Sequence, residues 1–289
     1  MTERHLKAAH AAYRDDIADL VTRRPLPGPG VRQVDPFLFL NHHGPQTYPP
    51  GSNGLPFGPH PHRGFETVTF ILEGSLAHMD TGGHESVIHA GGVQWMTAGS
   101  GLVHAELSPE DFKRDGGDME ILQLWVNLPS QLKMTTPRYT GVQAADIPAI
   151  AAGDGATVHL VSGDFEGQTG PVDSLTDVFM SMVSLPKGAK VTLPAPERRN
   201  VFFYVVRGTV TAGGETVEAL HLGEFGPDGD TVEVTASEDA FLLYGHAEPT
   251  DEPVVARGPF VMNTEAEIRD AIADYQAGKF DRAPETLKG

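Results

Sequence analysis

At 289 residues the chain is long enough for one large or two ordinary domains, each able to bury its own core. A formal charge of −18 excludes a sequence-independent grip on nucleic acid, which needs lysines and arginines against phosphates. The absence of cysteine excludes disulfide and thiolate chemistry and suits a reducing cytoplasm, while no apolar run is long enough to span a membrane and Met1–Ala12 lacks a signal-peptide core.

Glycine and proline, at 33 and 23 residues, together with few long helical periods, favour many short strands joined by turns. Residues 1–14 are rich in alanine and charge and are expected to form a frayed, peripheral helix. Ile17 to Thr22 reads as a first strand, and Pro25-Leu26-Pro27-Gly28-Pro29-Gly30 as irregular chain. Phe37-Leu38-Phe39-Leu40 reads as a short buried strand leading into His42-His43. Neighbours in a strand face opposite ways, so one of that doublet at most can reach a common site, and then only behind the ligands.

Two short pairs of metal-competent side chains follow, His60-Pro61-His62 and, 42 residues after the second histidine, His104-Ala105-Glu106. Alternate side chains of a strand share a face, so two such strands side by side present four ligands together. Thr67 to Gly74 and Gly91 to Gly101 both read as strand bounded by turns, which gives the pairs a β context. Three imidazoles and one carboxylate suit a divalent first-row metal, and ligand type alone does not choose among them. A six-coordinate ion would keep two positions for substrate or dioxygen. His78, His84 and His89 lie in turn and edge sequence and are read as surface or hydrogen-bonded residues.

Ile121 to Leu128 closes the first half, and the domain connection is placed within Pro129 to Pro148, dividing the chain into 1–134 and 135–289. The second half then repeats the first at an offset of 134 residues, Tyr204-Val205-Val206-Arg207-Gly208 falling on Phe70-Ile71-Leu72-Glu73-Gly74. At that offset His60, His62 and Glu66 fall on Pro194, Pro196 and Asn200, so the repeat keeps the strands and lacks the ligands. The lone His221 and His246 are read as structural or exposed. Thr264 and Glu267 form a capping box for a helix carrying Ile268, Ala271, Ile272 and Tyr275 at helical spacing and stopped by Gly278. Packing against a β-domain is its expected role.

The run His60-Pro61-His62-Arg63-Gly64-Phe65-Glu66-Thr67, then Gln94-Trp95-Met96-Thr97-Ala98-Gly99, His104-Ala105-Glu106 and Gly258-Pro259-Phe260-Val261-Met262-Asn263-Thr264, closely resembles the pirin family of the cupin superfamily. The resemblance covers roughly residues 17 to 280. It implies an all-β fold of two cupin (jelly-roll β-barrel) domains packed face to face, with a short C-terminal helix. It also implies one metal, typically iron as Fe(II) with Ni, Cu, Mn, Co or Zn as substitutes, in the N-terminal barrel and none in the C-terminal one. The general cupin pattern places its carboxylate ligand at Glu66, whereas pirins use the position of Glu106. The expected ligands are therefore His60, His62, His104 and Glu106, with Glu66 as a group behind them. Bacterial pirins are associated with quercetin 2,3-dioxygenase activity, which implies a small aromatic substrate and dioxygen. Glu106 would then serve as base, and Phe57, Phe65, Trp95, Met96 and Leu102 as candidates for an apolar slot. The alternative the resemblance carries is an iron-binding, redox-responsive regulator of a transcription factor or metabolic enzyme, for which an acidic surface would favour a basic protein partner. Two barrels in one chain are compatible with a monomer.

Overall fold

A computed structural model describes residues 2–281. Strands dominate, with helices only at Glu110–Asp115 and Glu265–Gln276 among the described residues beyond a single 3-10 turn. Neither is long and apolar enough to cross a membrane. The chain divides into two compact units that interleave in sequence. Among the described residues, one comprises 2–14, 23–40 and 145–249, the other 15–22, 41–144 and 250–281.

The unit that carries His60 and His104 is built on two antiparallel sheets. In one, Arg138–Val142, Val93–Thr97, Phe65–Glu73, Gly117–Asn127 and the part of Phe37–Tyr48 from Asn41 onward lie side by side. In the other the order is Phe57–His62, Leu102–Leu107, Ser75–Asp80 and Glu85–His89. Strand alternation sorts the residues of Phe65–Glu73 into two sets. Thr67, Thr69 and Ile71 share one face, and Ile71 joins Leu76, Ile88, Phe112, Met119 and Ile121 in the core. Glu66, Val68 and Phe70 share the other face, and each of them is also buried. Burying one such aliphatic or aromatic side chain contributes about 1.5–3 kcal/mol.

The other unit repeats the arrangement. Leu6–Ala11, His221–Phe225, Asn200–Arg207, Ala240–Ala247, Phe179–Leu185, Ala156–Ser162 and Ala149–Ala152 form its larger sheet, and Lys190–Pro194, Thr231–Ala236, Thr209–Ala212 and Glu215–Glu218 the smaller. Their inward faces enclose a core that includes Val183, Val201, Phe203, Val205, Leu242 and Tyr244. The strand that carries Pro194 is paired antiparallel as the strand that carries His60 is, Pro194 lying opposite Thr231 and His60 opposite His104, although the offset between those partners is no longer 134.

Several local expectations change. Leu6–Ala11 is a strand, antiparallel to His221–Phe225, where alanine content suggested a frayed helix. Ile17 and Leu20 form only an isolated bridge, and the strand begins at Thr22, running through Pro25 to Leu26. Phe37 to Leu40 continues through His42, His43, Gly44 and Pro45 to Tyr48. The C-terminal helix is capped as expected, the Thr264 hydroxyl accepting from Glu267 N at 3.2 Å while Glu267 Oε2 accepts from Thr264 Oγ1 at 2.9 Å. Only Ile268 and Ala271 are fully buried on it; Ile272 and Tyr275 remain 38% and 39% exposed.

Candidate metal centre

Antiparallel pairing places His104 directly opposite His60 and Leu102 opposite His62, so the two period-2 pairs sit on neighbouring strands and meet at His60 and His104, while a register shift leaves Glu106 opposite Phe57. The candidate ligand atoms of His60, His62 and His104 all lie within 4.8 Å of one another, and among the described residues this is the only such cluster. The fixed tautomers point the same way. His60 Nδ1 donates to the Gly58 carbonyl at 2.8 Å and His62 Nδ1 to the Pro259 carbonyl at 3.3 Å, which leaves both Nε2 atoms as lone-pair donors. His60 Nε2 faces His104 Nε2 at 3.0 Å.

Burial, and then the neighbouring His60, lowers the His62 imidazolium to about 3. Burial, and then His62, His60 and His78, holds His104 well below its ordinary value. Three imidazole ligand atoms gathered this closely are a donor set that suits a divalent transition metal, and the residues present fit such an ion.

Glu106 lies two residues beyond His104 and is 2% exposed. Its carboxylate is held on both oxygens, Oε1 accepting from Thr69 Oγ1 at 2.8 Å and Oε2 from Gln123 Nε2 at 2.6 Å. Each oxygen retains a lone pair, so these bonds orient the group without exhausting it. Glu66 is placed differently. It is three residues from Thr69 in the same strand and so points from the opposite face, where Thr97 Oγ1 donates to its Oε1 at 2.6 Å. Burial, only partly offset by hydrogen bonds from Thr97 and Trp95, raises its carboxyl to about 6. The expectation of Glu66 as a group behind the ligands is corrected by that alternation.

The turn after His62 is fixed from three sides. Arg63 Nε donates to the Ser100 carbonyl at 2.8 Å, its Nη1 to Asp274 Oδ2 at 3.0 Å, and its guanidinium lies over the Phe280 ring at 4.6 Å. Gly64 has φ +89°, and a Cβ there would collide with the Val261 carbonyl. Buried Lys133, lowered to about 8 by burial, donates to the carbonyls of Gly64 and Val261 and to Asn127 Oδ1 at 2.9, 3.1 and 2.7 Å.

Of the expected apolar wall, Phe65 reaches the site, its ring 5.0 Å from that of His62. Met96 and Leu102 pack with Ala98 and Tyr139 instead. Trp125, which pattern reasoning passed over, lies 5.6 Å from the His62 ring and 4.4 Å from Phe65. Neither member of the His42-His43 doublet joins the cluster: His42 Nε2 pairs with Glu120 at 2.8 Å and His43 Nδ1 with Thr22 Oγ1 at 2.8 Å.

His78, read from sequence as unremarkable, is 3% exposed, stacked on Tyr139 at 3.9 Å, and 5.5 Å from the His104 ring. It is tied to Asp80 Oδ2 at 2.9 Å. Burial alone would raise Asp80, but hydrogen bonds from His78 and His84 hold it below its ordinary value. His78-Met79-Asp80 has the same period-2 spacing as the ligand pairs, and that signal could have marked it.

The pirin family model matches residues 19–126, and the model of the pirin C-terminal cupin domain matches residues 180–281. A Pseudomonas aeruginosa protein named "Putative quercetin 2,3-dioxygenase PA2418" is 39% identical over 253 residues, 87% of this chain and 88% of that protein. Human pirin is 38% identical over 273 residues, 90% of this chain and 89% of its own. The crystal structure of a quercetin 2,3-dioxygenase from Acinetobacter baumannii superposes with a TM-score of 0.91 at 34% identity, covering 96% of this chain and 99% of that one. The repeated barrels, the histidines held on facing strands and these similarities together make the chain a member of the pirin family, with two cupin domains.

Proposed function

We propose that the protein is a metal-dependent dioxygenase of the quercetin 2,3-dioxygenase type, acting in the cytoplasm on a flavonol-like aromatic substrate. One divalent metal, Fe(II), is held by His60, His62, His104 and Glu106. The observation that carries this reading is the convergence of three imidazoles, with a buried, doubly hydrogen-bonded carboxylate two residues beyond His104 in the same strand. When bound, the metal supplies Lewis acidity toward an aromatic hydroxyl and a redox-capable partner for dioxygen.

The remaining work falls to the chain. Glu106 takes the proton of the flavonol 3-hydroxyl, and the Thr69 hydroxyl and Gln123 amide fix the direction from which its oxygens approach. The carbonyls of Gly58 and Pro259 hold His60 and His62 in the metal-binding tautomer. Phe65 and Trp125 beside His62 offer apolar faces to a planar ring and exclude water from it. The names of the relatives support the substrate class.

The test is anaerobic purification with metal analysis, followed by aerobic incubation with quercetin, reading loss of its visible absorbance and release of carbon monoxide. Wild type and Glu106→Gln are compared at matched metal content. Turnover that collapses in the variant is expected. No turnover at full metal occupancy, or equal turnover in the variant, overturns the assignment and directs attention to a protein partner.

A further inference from the structure

The unit that lacks the metal ligands has a cavity of its own at the corresponding place. Pro194 and Pro196, which stand at the positions of His60 and His62, line a cavity of about 170 Å³ with Phe179, Arg199, His246 and Asp164. The position opposite His60, taken by His104 in the other unit, is here Thr231. Thr231 lines an adjoining cavity of about 450 Å³ that shares Asp164 and Pro194 with the first.

His246 is the residue that asks for a partner. In the metal-binding unit Trp125 lies opposite Thr67; here His246 lies opposite Val201, the residue 134 positions on from Thr67. It alternates onto the same face as Leu242 and Tyr244, which are core residues, so its ring points inward. It is 4% exposed, and neither ring nitrogen has a hydrogen-bond partner. An unpaired buried polar group is costly to the fold, and a ligand able to pair it would recover that cost. Its ring stacks on Phe179, with centroids 4.6 Å apart and planes 9° apart. Burial first, and then the charges of Arg199 and Arg4, lower its imidazolium to about 3, so the ring is neutral and offers one N–H and one lone pair. Arg199 Nε is likewise buried without a partner, while its Nη1 donates to Asp177 Oδ2 at 2.7 Å.

We infer that this second-barrel cavity binds a small uncharged phenol. Its hydroxyl would donate to the neutral imidazole and accept from a cavity N–H, and its ring would lie against Pro194, Pro196 and Phe179. The volume admits a single ring. The charges select against a carboxylate, because Asp164, Glu166, Asp177 and Asp230 border the two cavities, and besides the neutral His246 their one basic lining side chain, Arg199, is already ion-paired with Asp177 through Nη1. This site is independent of the flavonol reading of the metal centre.

The test uses the metal-loaded full chain with its histidines labelled with nitrogen-15, His246 being assigned through its own backbone amide. Phenol, benzoate and cyclohexanol are titrated separately. A saturable shift of the His246 ring nitrogens with phenol, at least tenfold weaker or absent with benzoate and with cyclohexanol, is expected. Pro196→Trp, at an exposed rim position, should weaken the phenol response at least tenfold with the unfolding midpoint unchanged. An unmoved His246 signal, benzoate or cyclohexanol binding as tightly as phenol, or an unchanged response in the folded Pro196→Trp variant would each overturn the assignment. The ring-nitrogen reading in wild type decides the matter even if that variant does not fold.

Discussion

Glu66→Gln should stabilise the protein at neutral pH, and the gain should vanish in acid. The Glu66 carboxyl is raised from 4.5 to about 6 by burial on the face of its strand opposite Thr69. Because the folded state holds the proton more tightly than the unfolded state, stability falls as pH rises from about 4.5 to about 6 and stays reduced above that window. At about 1.36 kcal/mol per unit, the raised value costs about 2 kcal/mol at pH 7, with no discount for solvent because the group is buried. Glutamine keeps an acceptor for Thr97 Oγ1 and carries no charge to desolvate. Urea unfolding of chelator-treated wild type and variant, from pH 4 to pH 8, reads the difference directly, since all other titrating groups cancel. The variant should gain about 2 kcal/mol above pH 6 and little below pH 4.5. A pH-independent difference, or a loss of metal binding in the variant, would refute both the burial argument and the placement of Glu66 away from the ligands.

Three further outcomes follow from the site and its supports. Saturating metal at about 100 times Kd should stabilise wild type by about 2.7 kcal/mol, and His62→Ala should abolish that increment in thermal unfolding at the same metal concentration. Gln123→Leu removes one of the two donors to Glu106, a bond to a charged group that contributes about 1.5–3 kcal/mol, so quercetin turnover should fall about tenfold or more with metal content unchanged. Thr264→Ala should cost about 1 kcal/mol in a urea midpoint measurement, through loss of the cap on the C-terminal helix, and leave turnover alone.

The three histidines were legible because strand alternation turns an i, i+2 spacing into a shared direction, and two such spacings within one β pattern are hard to produce otherwise. The repeat was legible because the strand-then-glycine pattern survives in the second half after the ligands are gone. What holds the candidate ligands was not legible. Gly58, Thr69, Gln123, Trp125 and Pro259 meet the site through register and chain return, and no local pattern states which residue of a neighbouring strand lies opposite which. His78 is a different case: its i, i+2 spacing to Asp80 is a local signal, and only its place opposite Glu106 is set by register. The first strand was misread because alanine and charge favour a helix locally, whereas pairing with His221–Phe225 decides the outcome.

That first strand has a practical consequence for handling the protein. Leu6–Ala11 occupies the outermost position of its sheet, and just before it Arg4 sends its guanidinium to the carbonyls of Ala195, Pro196, Arg199, Gly226 and Gly229. Trimming the leading dozen residues would strip the hydrogen-bonding rim from His221–Phe225 and leave those carbonyls without their cation. A bared rim is an invitation to edge-to-edge adhesion between molecules, so the leading segment serves as a guard against clumping, and Lys7 adds a charge at that border.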